Sequence, residues 1–149
     1  MKKFSLEADK RRVEKLYEHE NKAREGGFKL IAGVDEAGRG SLVGPVVVAA
    51  VILPENIYLE RLDDSKKLSA KIREKLFDEI KTSAVAYSCV EVSIREVDTL
   101  NVYQATLQGM IRAVKNLSIK PDLVLTDNKS LAPLLETPIT YPILVLSVS

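Results

Sequence analysis

The sequence LIAGVDEAGRG at residues 30–40 joins an apolar run directly to two adjacent acids and a glycine-rich loop. The apolar run belongs to a predicted strand at residues 28–34, and a second apolar run at residues 46–53 follows the loop. The second run contains no polar side chain, which is typical of a strand that is covered on both faces. Two neighbouring strands of this kind predict a sheet inside an α/β domain.

Helix and strand patterns alternate through the rest of the chain. Ser69 and Ser93 are predicted to cap the helices that follow them, the second together with Glu96 in a capping box. After residue 53 the patterns predict a helix at 69–80, a strand at 84–92, a helical turn from 93, a helix at 103–117, a strand at 123–126, a loop at 131–142 and a strand at 143–148. The predicted class is three-layer α/β, with a mixed sheet flanked by helices.

The first 27 residues differ from the rest in their charge. Residues 5–25 are densely charged with sparse apolar positions, which predicts one helix that Gly26 and Gly27 end. We interpret it as a packing helix with a solvated outer face, and an electrostatic role in nucleic-acid binding is the alternative. The predicted organisation is an N-terminal charged helix at 1–27 and one α/β domain at 28–149.

Composition excludes several classes of protein. The 149 residues are 46% hydrophobic and 29% charged, which excludes global disorder. With 22 basic and 21 acidic side chains the net charge is +1, so any nucleic-acid surface must be a local patch. One cysteine and one histidine exclude a disulfide framework and a zinc-finger ligand set. No signal peptide or membrane span is visible, and we expect a cytoplasmic location.

Three acids stand at the ends of predicted strands. Asp35 and Glu36 follow residues 30–34, and Asp127 follows residues 123–126. Adjacent carboxylates repel each other and lose hydration near a core, and a hard divalent cation relieves both costs. If the two strands are parallel neighbours, their carboxyl ends share an edge and the acids converge there. The sequence therefore predicts a metal site, with solvated loop acids as the alternative.

The loop after these acids is rich in glycine. Gly38 and Gly40 flank Arg39, and Gly44 with Pro45 closes the loop. Glycine allows a ligand to approach the backbone, and the arginine fork suits a phosphate. An anionic ligand fits this pattern beside the acids, and a hairpin loop that needs glycine for its turn is the alternative.

Together these motifs resemble the signature of bacterial type 2 ribonuclease H, ribonuclease HII. The first is GVDEAGRG at residues 33–40, followed by Gly-Pro-Val at 44–46. Further matches follow in the family's order: DSKKLS at 64–69, NVYQAT at 101–106, and NLSIKP at 116–121 leading to Asp127. The resemblance covers roughly residues 10–130, and an octapeptide with several ordered companions is more specific than a lone glycine motif.

The resemblance implies a ribonuclease H-like fold and an endonuclease. Such an enzyme hydrolyses the RNA strand of RNA/DNA hybrids and single ribonucleotides embedded in DNA, leaves 5′-phosphate ends, and uses two Mg²⁺ or Mn²⁺ ions. Asp35, Glu36 and Asp127 match the catalytic, metal-binding acids. The segment Gly38-Arg39-Gly40 matches the loop that senses the 2′-hydroxyl at the RNA–DNA junction. Other matches lie near the nucleic-acid backbone: Ser65, Lys66, Asn101 and Thr106. No protein partner is implied, and we expect a monomer.

The chain departs from the family pattern after its last predicted strand. Family members continue with a Gly-Asp-x-Lys-Ser segment and helices that bring a fourth catalytic aspartate and a tyrosine that stacks at the junction. Residues 144–149 read LVLSVS and match none of these. We therefore expect a domain without its C-terminal helices, and weak or no cleavage by these residues alone.

Two alternatives from other classes remain open. A non-catalytic, nucleic-acid-binding remnant would keep Arg39, Lys66 and Lys67, and its binding would weaken as salt rises. A sugar kinase or ATPase of the actin-like type also runs its first strand into an acidic loop. Such an enzyme needs two larger lobes to enclose its nucleotide, and a nucleotide would stabilise it against melting.

Overall fold

The computed structural model describes residues 4–37, 45–55, 57–60, 69–126 and 139–140. Helices and strands alternate after an N-terminal helical pair, as in an α/β protein. The elements are α1 (Leu6–Leu16), α2 (Glu18–Glu25), β1 (Ile31–Ala37), β2 (Val46–Ile52), α3 (Ala70–Ser83), β3 (Ala86–Val92), α4 (Ile94–Leu100), α5 (Val102–Lys115), β4 (Leu123–Leu125) and β5 (Ile139–Thr140). None of the helices in these ranges is long and apolar enough to cross a membrane.

The five strands form one mixed sheet in the order β3-β2-β1-β4-β5. β2 pairs antiparallel with both β1 and β3. β4 pairs parallel with β1 on one side and with β5 on the other. The predicted mixed sheet is confirmed, and the carboxyl ends of β1 and β4 lie at the same edge of it.

One face of the sheet is covered by α5. Its buried residues pack against alternate strand residues such as Val34, Val48 and Val92 in the largest hydrophobic cluster. Gly109 marks the closest approach, because a Cβ atom there would lie 2.6 Å from Val92 Cγ2 and 3.0 Å from Val48 Cγ2. Glycine at this position therefore lets α5 lie close against β2 and β3 without displacing the Val92 and Val48 side chains.

The opposite face is covered by α1 and α3. Val13 and Tyr17 from the N-terminal helices join Leu76 and Ile80 of α3 in a cluster with Val51 of β2. Strand residues alternate between faces, so this cluster lies across the sheet from α5. The three-layer class is confirmed. The division at residue 27 stays a prediction, although α1 packs against the sheet domain.

The prediction of one N-terminal helix is wrong. The chain forms two helices, which meet at Tyr17. The Tyr17 N–H donates to the Glu14 carbonyl at 3.1 Å, an i to i−3 bond that tightens and ends α1. The Tyr17 side chain is only 5% exposed, so burial of its ring accompanies the break.

The first strand begins and ends three residues later than predicted. Asp122 explains its start, because its Oδ2 accepts the backbone N–H groups of Lys29 at 3.1 Å and of Leu30 at 2.9 Å. These two N–H groups are therefore unavailable to a strand partner. The end moves because Asp35 and Glu36 pair with Ala49 and Val48 of β2 and are part of the strand.

The last strand also differs from its prediction. The two residues of β5 pair with Val124 and Leu125 inside the segment 131–142 that was predicted to be a loop. Backbone pairing with β4 creates this strand, which a pattern of side chains over so few residues does not reveal. The strand predicted at 143–148 lies outside the described residues.

Replacing Gly109 by alanine should lower the free energy of unfolding by about 1 kcal/mol. The added methyl group would overpack the contact with Val92 and Val48, which costs about 1–3 kcal/mol, and the better helix propensity of alanine returns about 1 kcal/mol. Urea unfolding measures the difference. Gln108→Ala, at the exposed neighbouring position, is the control, and a Gly109→Ala protein as stable as this control would contradict the close packing.

Glu20 makes the N-terminal helices sensitive to pH. Burial raises the pKa of this carboxyl from 4.5 to about 7, and the charge of Arg24 opposes the rise. The folded chain therefore favours neutral Glu20. This preference adds to the free energy of unfolding, fully below pH 4.5, and the gain is lost as the pH rises through 7. Glu20→Gln, which stays neutral, should stabilise the chain increasingly across that range.

Urea unfolding of Glu20→Gln and of the wild-type chain, at a series of pH values on both sides of 7, measures this effect. Glu18→Gln removes an exposed carboxylate from the same helix and serves as the matched control. A gain in stability that is the same at every pH would contradict the burial of Glu20.

Candidate metal and nucleic-acid site

Two of the three predicted acids lie near the carboxyl end of the central strand. Asp35 and Glu36 are half-buried and belong to β1, which has β2 on one side and β4 on the other. Their register partners on β2 are Ala49 and Val48. Both acids therefore stand on a strand that pairs with β2 at their own positions, whereas its pairing with β4 covers residues 31–33.

Local geometry separates the two carboxylates. The Glu36 N–H donates to Asp35 Oδ1 at 2.8 Å, which fixes the Asp35 side chain against the backbone. Alternation along β1 directs Glu36 to the face of Val34, under α5, and Asp35 to the opposite face. The adjacency of the acids in the sequence therefore does not by itself bring both carboxylates to one ion, and a further strand must contribute.

The neighbouring strand that the prediction requires is present. β1 and β4 pair in parallel, with Gly33 opposite Leu125, and Thr126 follows β4 in a fully buried position. The topology that would let three acids converge is thus confirmed. Asp127 itself lies outside the described residues. Within the described ranges, no three His, Cys, Asp or Glu side chains are grouped closely enough to hold a metal ion.

Asp122 holds this pairing at its start, a role that sequence reasoning missed. Besides accepting the two N–H groups of Lys29 and Leu30, it donates its own N–H to the Leu30 carbonyl at 2.7 Å. The backbone hydrogen bonds from Leu30 and then Lys29 lower the pKa of its carboxyl. An acid placed between Pro121 and a strand was the available signal, but its partners lie more than 90 residues away.

Asn101 has the most unusual backbone of the predicted substrate residues. It joins α4 to α5 with φ 67° and ψ 163°, and it alone among the described non-glycine residues has a positive φ. Its Oδ1 accepts the Gln104 N–H at 3.0 Å and so caps α5. The residue is exposed, and the cap leaves its amide nitrogen available to partners from outside.

Stability does not explain an asparagine at this position. A non-glycine residue in this backbone region costs about 1–3 kcal/mol, whereas replacing an asparagine cap by glycine costs only a few tenths. Glycine would therefore give the more stable chain. Strain of this kind is concentrated at functional sites, and the feature of Asn101 that glycine lacks is an exposed amide donor.

Thr106 occupies a different environment from the one that its predicted role suggests. Its side chain is fully buried, and its hydroxyl donates to the Val102 carbonyl at 2.6 Å within α5. In this arrangement the hydroxyl serves the helix rather than the surface, and contact with a substrate stays a prediction.

The other predicted site residues lie outside the described ranges and also stay predictions. They are Gly38, Arg39, Gly40, Ser65, Lys66 and Asp127. Two described residues adjoin them along the chain. Ser69, the last residue of the matching segment at 64–69, caps α3 by accepting the Ile72 N–H at 3.3 Å, and Thr126 immediately precedes Asp127.

Comparison with known proteins gives one consistent family. The family model described as Ribonuclease HII matches residues 32–145. Ribonuclease HII of one Bacillus cereus strain is 50% identical over 119 residues, which are 80% of this chain and 46% of that protein. Ribonuclease HII of a Bacillus anthracis strain is 48% identical over 132 residues, which are 88% of this chain and 51% of that protein. The chain thus spans about half the length of these curated relatives.

A solved structure supports the same assignment. The crystal structure of ribonuclease H2 from Pyrococcus horikoshii OT3 superposes with a TM-score of 0.62 at 30% identity, over 74% of this chain and 61% of that one. The predicted ribonuclease H-like fold is confirmed by this similarity. Sequence motifs, sheet topology and family model agree, and the chain belongs to the ribonuclease HII family.

Proposed function

We propose that this chain carries the catalytic acids and part of the substrate surface of an endonuclease. The reaction is hydrolysis of RNA paired with or embedded in DNA, including single ribonucleotides, and it leaves 5′-phosphate ends. The parallel pairing of β1 and β4 is the observation that carries the proposal. It brings the carboxyl ends of β1 and β4 to a common edge, which is where open α/β sheets bind ligands.

The proposed metal ligands are Asp35, Glu36 and Asp127. The observed register pairs Gly33 with Leu125, and each of these residues stands two positions before one of the proposed ligands, Asp35 and Asp127, in the sequence. Carboxylate oxygens are the donors that Mg²⁺ and Mn²⁺ prefer, so the residues present fit such ions. The chemistry that a bound pair of these ions supplies is activation of water and neutralisation of charge at the phosphorus.

The part played by the chain's own residues is holding and orientation. Asp35 is fixed by the Glu36 N–H, so it enters the site with one oxygen already held by the backbone. Alternation along β1 directs Glu36 to the sheet face that α5 covers. Because phosphodiester hydrolysis by this route uses water as the nucleophile, it needs no histidine or cysteine.

We assign substrate recognition to the other residues that match the family's motifs. The segment Gly38-Arg39-Gly40 would read the 2′-hydroxyl, the group that distinguishes RNA from DNA at one position. Ser65, Lys66, Asn101 and Thr106 would lie along the nucleic-acid backbone, with the exposed Asn101 amide as a donor. We also propose that the chain acts in the cytoplasm and as a monomer.

For these residues alone we expect cleavage at least about 100-fold slower than by a complete family member. The family's fourth acid is not among them, and even loss of residues behind the metal ligands costs 10–100-fold. A labelled DNA duplex with one embedded ribonucleotide, incubated with Mn²⁺, measures the rate. Asp35→Asn should abolish the residual cleavage.

Asp78→Asn, an exposed acid of α3, is the matched control and should cleave like the wild-type chain. Cleavage that survives in Asp35→Asn would contradict the proposed site. Binding of the duplex without any cleavage in every variant, weakening as salt rises, would leave a binding remnant of the same fold.

Replacing Asn101 by glycine should separate stability from binding. We expect the free energy of unfolding to stay equal or to rise by about 1 kcal/mol, because strain is relieved and little capping energy is lost. Binding to an RNA/DNA hybrid, measured by fluorescence anisotropy, should weaken. Gln108→Ala on the exposed side of α5 is the control, and hybrid binding by Asn101→Gly equal to that of the control would contradict the role of the amide.

A further inference from the structure

Helix α4 is weakly attached to the core. None of its seven residues is buried, and Ile94 and Leu100 at its two ends are 52% and 43% exposed. Only Val97 packs, partly buried, against the hydrophobic cluster under α5. Apolar burial therefore does little to fix the direction in which α4 enters Asn101.

A bidentate ion pair between Glu96 and Arg112 attaches α4 to α5. Arg112 Nη2 lies 2.9 Å from Glu96 Oε2, and Arg112 Nη1 lies 3.3 Å from Glu96 Oε1. This fork joins α4 to the second half of α5. The other ion pairs between described residues each lie within a single helix, so this one differs in connecting two elements.

The Glu96–Arg112 pair links the two helices that meet at Asn101. Glu96 stands five residues before this joint and Arg112 eleven residues after it. Rotation about the Asn101 backbone would swing α4 away from α5 and break both hydrogen bonds of the fork. A strained backbone persists only where the surrounding structure over-determines it, and the fork is the polar contact that does so here.

We propose that Glu96 and Arg112 are positioning residues, which hold Asn101 in its positive-φ conformation and so direct its amide towards the nucleic-acid backbone. This inference rests on the proposed function, in which the Asn101 amide binds nucleic acid, and it adds the residues that orient the amide. The substrate group concerned is an acceptor oxygen of a phosphate or sugar. Neither Glu96 nor Arg112 needs to touch that group.

The opposing interpretation is an ordinary surface ion pair. The Glu96 and Arg112 side chains are 39% and 43% exposed, and pairs at such positions often contribute little to stability. Stability alone therefore cannot decide between the two interpretations. The deciding quantity is the backbone conformation of Asn101, which a pair that only adds stability would leave unchanged.

The first experiment measures that conformation by NMR. At positive φ the amide and α hydrogens of one residue are close, so wild-type Asn101 should show a strong intraresidue cross-peak between them. Arg112→Met, which keeps the apolar stem but not the fork, should weaken this cross-peak. Lys75→Met breaks an exposed ion pair within α3 and is the matched control. An unchanged Asn101 cross-peak in folded Arg112→Met would overturn the inference.

The second experiment measures binding of an RNA/DNA hybrid by fluorescence anisotropy. Arg112→Met should weaken binding about fivefold, the loss that one hydrogen bond is worth, and should have no further effect in an Asn101→Gly background. Exchanging the charges in Glu96→Arg with Arg112→Glu should restore both the cross-peak and the binding. Equal weakening in both backgrounds would overturn positioning through Asn101.

The two proposals fail in different ways. If Asn101→Gly binds the hybrid as the wild-type chain does, the role of the amide in the proposed function is wrong, and the inference that the pair directs it towards nucleic acid falls with it. If Asn101→Gly binds weakly but Arg112→Met binds normally, the proposed function stands and the positioning role is wrong.

Discussion

The parallel pairing of β1 with β4 is the constraint on which the rest of the site depends. The pairing begins at Asp122, whose side chain accepts the N–H groups of Lys29 and Leu30 just before β1. The parallel register of β1 with β4 follows directly after these hydrogen bonds. That register brings the carboxyl ends of two strands, far apart in the sequence, to one edge of the sheet, where we propose that Asp35, Glu36 and Asp127 bind metal ions. α5 covers the sheet face that contains Val34 and Val48, and the absence of a side chain at Gly109 allows it to approach that face closely.

Much of the fold could be predicted because its signals are local. The wholly apolar pattern of β2, the capping serines of α3 and α4, and the long apolar stripe of α5 each lie within a few residues of what they determine. The errors share a different cause. The break at Tyr17, the late start of β1 and the pairing of β5 depend on contacts with distant parts of the chain, which a pattern of side chains along the sequence does not report.

In the candidate site, too, some features follow from local sequence and others depend on distant contacts. Acids after an apolar run identified Asp35 and Glu36, and the register of the strands supplies the neighbour that the prediction required. The backbone of Asn101 could not be foreseen, because asparagine at the start of a helix predicts only a cap. Glu96 was interpreted as half of a capping box, yet its carboxylate binds Arg112, 16 residues further along and on another helix. Whether the Glu96 carboxylate completes a capping box or binds Arg112 depends on how α4 packs against α5, which the sequence pattern does not show.

We propose that the shared edge of β1 and β4 binds a divalent cation. Titration with Mn²⁺ followed by NMR tests it most directly, because a paramagnetic ion broadens the signals of nearby nuclei. The amide signals of Glu36, on β1, and of Thr126, which follows β4, should broaden together at the lowest Mn²⁺ concentrations, and Asp35→Asn should remove the effect. Broadening that spares both residues while affecting exposed acids elsewhere, such as Asp78 or Asp98, would contradict it.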